Sequence, residues 1–130
     1  MKVFLACPRD MNEAMVERLT VELTDLFTGV TFLASSQEFQ KHFAAIGSWD
    51  GWADHVASGK DYLTRKDYYQ SIMCVSETVG KSTAQIVNRS LARGKSVFFY
   101  DENRNIKLVS SIIEVDTENW TSGWKIIPVS

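Results

Sequence analysis

The stretch YQSIMCVSETVGKSTAQIVNRSLARGKSVFFYD, residues 69–101, decides the fold. Ile72, Met73, Cys74 and Val75 form a short apolar run, the pattern of a strand buried on both faces. Ser76–Ser82 then supplies a glycine and small hydroxyl side chains, as a loop would. Ala84, Ile86, Val87, Leu91 and Ala92 recur at helical spacing, and Gly94 stands where a helix commonly stops. Val97, Phe98, Phe99 and Tyr100 make a second apolar run. A strand–helix–strand unit of this length is a right-handed parallel crossover. In open parallel sheets, ligands bind beyond the carboxyl ends of the strands. The loop Ser76–Ser82 is therefore the first candidate site.

Upstream, Val3–Cys7 reads as a first central strand, stopped by Pro8, which cannot continue a buried ladder. Asp10 or Asn12 can cap the helix that follows. Its stripe is Met15, Val16, Leu19, Leu23, Leu26 and Phe27. Thr28 and Gly29 end it, and Val30, Phe32 and Leu33 suggest a second strand. Glu38–Ile46 reads as a short helix. From Gly47 to Lys66 the pattern breaks down, with Trp49 and Trp52 in a polar stretch. A structureless loop of that length is unusual in a compact domain. A short helix around Trp52–Ala57 is expected, with the rest a lid or binding loop. Downstream, DENRN is a turn, Ile106–Val115 alternates as a strand, and Trp124–Val129 makes a last one. With no crossover helix between them, these two form an antiparallel hairpin on one sheet edge. The expected fold is α/β: a three-layer α/β/α sandwich on a mostly parallel sheet with a C-terminal antiparallel hairpin. Residues 1–130 make one domain, with a core over 1–101 and the hairpin over 102–130.

Composition narrows the function classes. Hydrophobic residues at 45% and charged residues at 23% are those of a soluble globular domain, long enough to bury a core. The net charge of −2 argues against nucleic acid or an anionic membrane as partner. No apolar run approaches the roughly 20 residues of a membrane span, and VFLAC is too short for a signal-peptide core. Cys7 and Cys74 lie in apolar strands without metal-ligand spacing, so they read as free thiols, no metal is expected, and a cytoplasmic location is. Cys7 as a hydrolytic nucleophile lacks a downstream glycine-rich anion loop.

GKST at Gly80–Thr83 invites comparison with a phosphate loop, but that motif needs a glycine at position 75, which is Val75. What remains is a strand-to-helix loop in which Ser76, Thr78, Gly80, Lys81 and Ser82 surround free backbone N–H groups at the positive end of a helix dipole. Such a loop could hold a phosphate, a carboxylate or a ribose hydroxyl. The plainer alternative is that Ser82 or Thr83 caps the helix and Lys81 is solvated surface. Trp49 and Trp52 could stack on a nucleobase while Asp50 accepts from a sugar hydroxyl, or one tryptophan could plug the lid onto the sheet. Arg9 and Asp10 follow the first strand directly, at the same carboxyl edge. His42 and His55 read as structural or surface groups. Lys60, Arg65 and Lys66 read as a solvated face, and Tyr68, Tyr69, Trp120 and Trp124 as packing residues.

KVFLACPRD, residues 2–10, resembles the KIYLAGP-type first strand of nucleoside 2-deoxyribosyltransferases and their small relatives. VSETVGKSTAQIVNRSLARGKSVFFYD, residues 75–101, is similar to that family's later signature: strand, Gly/Ser/Thr loop, helix entered through a catalytic Glu and an apolar residue, then a GK-V strand. Together they cover both ends of a Rossmann-like core. The resemblance implies a nucleoside or nucleotide ligand, no separate cofactor, and cleavage or transfer at an N-glycosidic bond. It departs from the pattern at the decisive place. Gln85, followed by Ile86, stands at the nucleophile position, in a register needing one extra residue after Gly80, and an amide cannot attack an anomeric carbon. Cys7 replaces the first-strand glycine. Glu77 is the natural substitute as nucleophile or base, with Asp50, and further off Asp54, as other acids. Arg9, Asp10, Trp49, Trp52, Ser76, Thr78, Gly80, Lys81, Ser82 and Gln85 would line the pocket. A non-catalytic sensor or protein-interaction module on the same scaffold is the alternative. An exposed hairpin edge would invite pairing, so a homodimer is expected there.

Overall fold

The computed structural model describes residues 1–8, 10–58, 69–116 and 122–129. In chain order the elements are β1 (Lys2–Ala6), α1 (Glu13–Leu26), β2 (Thr31–Ala34), α2 (Ser35–Ile46), α3 (Trp49–Ala57), β3 (Ser71–Cys74), β4 (Thr78–Val79), α4 (Lys81–Ala92), β5 (Ser96–Tyr100), β6 (Ile106–Asp116) and β7 (Ser122–Pro128). All seven strands join one sheet, in the order β2-β1-β3-β5-β6-β7-β4. The first four are parallel. The β5–β6, β6–β7 and β4–β7 pairs are antiparallel. The fold is α/β and Rossmann-like, a three-layer sandwich, and the expected four parallel strands plus hairpin are present. Among the described residues no helix is long and apolar enough to cross a membrane.

Alternation along the central strands divides the core in two. Val3 and Leu5 of β1, Met73 of β3 and Tyr100 of β5 face α1 and meet its Leu23. Phe4 and Ala6, Ile72 and Cys74, and Val97 face the other way, against Trp52 and Val56 of α3 and Ile86 and Val87 of α4. Both flanks of each strand are therefore apolar, which is why residues 72–75 and 97–100 read as unbroken runs. One buried and one half-buried polar contact fix the layers. The Tyr69 hydroxyl donates to Glu38 Oε1 at 2.7 Å, and the Tyr100 hydroxyl to Glu22 Oε1 at 2.9 Å. Asn12, one of the two candidate caps, caps α1 by accepting from the Met15 amide.

Three features differ from the sequence expectations. Residues 49–57, expected to be loop with a short helix inside it, are helical from Trp49. Gly47 at φ +83° terminates α2 in a left-handed turn, Ser48 caps α3, and Gly51 lets the two helices close up. A Cβ at Gly51 would meet Ile46 Cγ2 at 2.7 Å. Second, β6 does not alternate throughout. A register irregularity between Val109 and Ser111 puts Val109 and Ile112 on the same core face and bends the strand, as bulges do. Third, the hairpin edge is not open. The chain leaving β3 passes across to form β4, which pairs with β7 at Thr78–Lys125 and Val79–Trp124. The Ile126 amide also donates to the Glu77 carbonyl at 2.8 Å. The readings of Arg9, Lys60, Arg65, Lys66, Tyr68 and Trp120 fall outside the described residues.

Candidate functional site

Strand order reverses between β1 and β3: from β1 the chain goes out to β2, then returns to β3 on the other side. A crevice at the carboxyl ends follows from that reversal. It is occupied by a cavity of about 830 Å³, within the usual range of small-ligand sites. Its floor is Ala6, Cys7 and Pro8 at the end of β1. One wall is Ser48, Trp49 and Asp50, where α3 begins; the other is Ser76, Thr78, Val79 and the first turn of α4 from Gly80 to Thr83, with Gln85 a little further along.

Helix α4 starts at Gly80, which has no side chain to cap it, and its first turn carries no acidic residue. The first amides of a helix lack intrahelical acceptors, so this wall presents N–H groups and a positive dipole end to the cavity. Lys81 adds a cation at the same end. Neither Ser82 nor Thr83 acts as the cap, so the plain capping alternative for these hydroxyls does not hold. The loop before it is held in place: the Ser76 hydroxyl donates to the Thr78 carbonyl at 2.9 Å, and β4 is laced to β7.

On the opposite wall Trp49 is 50% exposed. Its ring stacks on Phe39 at 5.2 Å and 24°, and lies 4.9 Å from Phe43, so the indole is propped from behind. The two walls are tied together by Arg89 of α4. Its guanidinium donates to Asp50 Oδ1 at 2.9 Å and to the Asp50 carbonyl at 2.8 Å, and reaches Asp54 Oδ1 at 3.1 Å. Arg93 adds a second bond to Asp54 at 2.9 Å. Asp50 is the one carboxylate among the described lining residues, and it is already engaged.

The structure therefore gathers Trp49, Asp50, Ser76, Thr78, Gly80, Lys81, Ser82 and Gln85 around one cavity and leaves three expected residues outside it. Glu77 alternates away: it is exposed, and its Oε1 lies 3.3 Å from Lys125 Nζ. Trp52, expected beside Trp49 as a stacking face, is 3% exposed and packs edge-on against Phe4 and Phe39. Both indoles lie on one flank of α3, three residues apart, and both meet Phe39; Trp52, a turn deeper, anchors the helix, while Trp49, its first residue, stands at the cavity. Asp10 is exposed and does not line the cavity. Comparison with protein-family models, with curated proteins and with solved structures gives no match to this chain.

Sequence reading missed Ser48, read as part of a patternless loop although it caps α3 at the cavity, and Pro8, read only as the stop of the first strand. Cys7 lines it with a half-buried thiol whose pKa is pushed up to about 11 by burial. Burial thus disfavours the thiolate, the form in which a cysteine attacks. Among the described residues no group of three or more His, Cys, Asp or Glu side chains could hold a metal ion.

Proposed function

We propose that the protein binds a nucleotide in the switch-point cavity and holds it without cleaving it. The observation that carries this reading is the pairing of an uncapped α4 N-terminus with a propped, half-exposed Trp49 across a cavity of about 830 Å³. A phosphate fits the N–H groups of the first turn and Lys81. A base fits the free face of Trp49, where stacking contributes about 1–3 kcal/mol. Ser48, Ser76, Thr78 and Thr83 offer hydroxyls to the sugar between them.

The case for holding over cleaving lies in the acids. Cleaving an N-glycosidic bond through a covalent intermediate needs a free carboxylate at the anomeric carbon. The residue at that position in the resemblance is Gln85, Glu77 lies outside the cavity, and Asp50 is bound by Arg89.

The test is a thermal-shift screen with nucleosides, nucleoside monophosphates and diphosphates, and NAD, followed by chromatography of each mixture for free base. A ligand at 100 times its Kd stabilises by about 2.7 kcal/mol. For a domain of this size that is a rise of about 10 °C in Tm. Nucleotides raising Tm more than the matching nucleosides, with no base released, is the expected result. No shift with any of them overturns binding, and catalytic base release overturns holding.

A further inference from the structure

Helices α3 and α4 lie side by side, and one pattern of contact repeats along them. Arg89 donates from Nη2 to Asp50 Oδ1 at 2.9 Å and from Nη1 to the Asp50 carbonyl at 2.8 Å. One turn further on, Arg93 makes the same fork on Asp54, at 2.9 Å to Oδ1 and 3.3 Å to the carbonyl. Lys95 continues the series on the Val56 carbonyl at 3.0 Å. The partners stand 39 positions apart each time, so the two helices run in the same direction and in a fixed register.

The arginines belong to a row on α4. Lys81, Gln85, Arg89 and Arg93 are spaced by four and so share one flank. Lys81 and Gln85 line the cavity, whereas Arg89 and Arg93 hold α3 instead. Lys81 lies eight residues before Arg89, about 12 Å of helix. Helix α4 therefore projects about two turns past the start of α3, and the cavity lies in the corner between them. Arg89 stands where one half of the row gives way to the other.

The first turn of α3 lies outside the core. Burial in that helix starts at Trp52, while Trp49 is 50% exposed and the Asp50 side chain 80%. Phe39 and Phe43 support the indole from the α2 side. From the α4 side, among the described residues, Arg89 is the one ion-pair partner of Asp50. An ion pair this exposed adds little to stability. A planar guanidinium that grips a main-chain carbonyl together with a carboxylate does fix orientation.

We infer that Arg89 is a positioning residue for the cavity: acting through Asp50, it sets the first turn of α3, and with it Trp49, at a fixed distance from the start of α4. Its part in ligand binding rests on the nucleotide reading given above. A nucleotide with its phosphate on one wall and its base on the other needs the two at the right separation beforehand. A wall that must be ordered on binding subtracts from affinity. Arg93 makes the same fork one turn away from the cavity and has no such part.

The test compares Arg89→Met, Arg89→Lys, which keeps the charge without the fork, and Arg93→Met. Each should keep Tm within about 4 °C of the wild type. In protein labelled with fluorotryptophan, the fluorine resonance of Trp49 is assigned by its loss in Trp49→Phe. With no nucleotide present, both Arg89 variants should shift or broaden that resonance, and Arg93→Met should leave it in place. Titrated with AMP, GMP, CMP and UMP, the Arg89 variants should bind about 10-fold more weakly, as when a group that orients a metal ligand is removed. Arg93→Met should bind as the wild type does. A Trp49 resonance or a Kd that both Arg89 variants leave unchanged overturns the inference. So does Arg93→Met weakening binding as much as Arg89→Met. A wild type that binds none of these nucleotides overturns the nucleotide reading, and the resonance of the unliganded protein then upholds or overturns the positioning by itself.

Discussion

Trp49 and Trp52 sit three residues apart in one short helix, and truncating each to alanine should have opposite effects. Trp52 is 3% exposed and touches Phe4, Phe39 and His55. Removing a core indole costs about 3–5 kcal/mol through lost burial and the cavity left behind. At about 4 °C per kcal/mol for this chain length, Tm should fall by about 12–20 °C. Trp49 is 50% exposed, so it forfeits only half of the roughly 1.5–3 kcal/mol that burying a large apolar side chain contributes. Its stability cost is therefore about 1 kcal/mol, or about 4 °C. Nucleotide affinity should move the other way: Trp49→Ala loses the stacking contact of about 1–3 kcal/mol, which is about 5- to 150-fold in Kd. Trp52→Phe should bind almost as the wild type does. Urea denaturation gives the first quantity and a titration with the best nucleotide from the thermal-shift screen gives the second. Equal stability losses from the two alanine variants, or undiminished binding by Trp49→Ala, would refute the division of labour.

Glu77→Gln should leave nucleotide affinity unchanged and alter stability by less than about 1 kcal/mol, because an exposed ion pair with Lys125 is all that it removes; a large loss of binding in titration would place Glu77 in the site after all. Tyr69→Phe should destabilise by about 1–3 kcal/mol in urea, since it deprives the buried Glu38 carboxylate of its hydroxyl donor; a neutral result would mean that water or another group replaces it. Lys95 is buried with its Nζ on the Val56 and Ser58 carbonyls, and burial lowers its pKa from 10.5 to about 8. Between those two values the unfolded chain binds more protons at this site than the folded one, so its contribution makes stability rise with pH across that window. Lys95→Met should flatten that rise in denaturation curves taken from pH 8 to 10, and parallel curves would argue against it.

The parallel half of the sheet was legible because its cause is local. Residues 72–75 and 97–100 are apolar on both flanks, and the stripes of α1 and α4 repeat at helical spacing whatever surrounds them. The switch point follows from strand order, and with it the place of the Ser76–Ser82 loop and of Trp49. The errors have a different origin. Nothing near Glu77 announces that β7 will come to lie beside it, and this long-range pairing decides that its carboxylate meets Lys125 while Thr78 and Gly80 meet the cavity. Gly47 and Gly51 looked like loop residues, yet one ends a helix and the other lets the next pack against it. The serine pair in β6 likewise hid a register irregularity, since Ser110 and Ser111 give no apolar contrast by which to see alternation fail.

The lacing of β4 to β7 also sets the order in which the protein becomes competent. A ribosome delivers residues N-terminus first, at about 5–20 per second. Strands β1, β2, β3 and β5 can associate while the chain is still growing, since their crossovers lie wholly upstream of residue 101. The cavity wall from Ser76 to Gly80 cannot settle then, because its hydrogen-bonding partners at residues 124–126 have not yet been made. Contacts between such distant segments form late in folding. A nascent chain would thus carry a nearly complete scaffold with an unfinished site, and the cavity proposed for a nucleotide would take its final shape only when β7 emerges and closes the sheet.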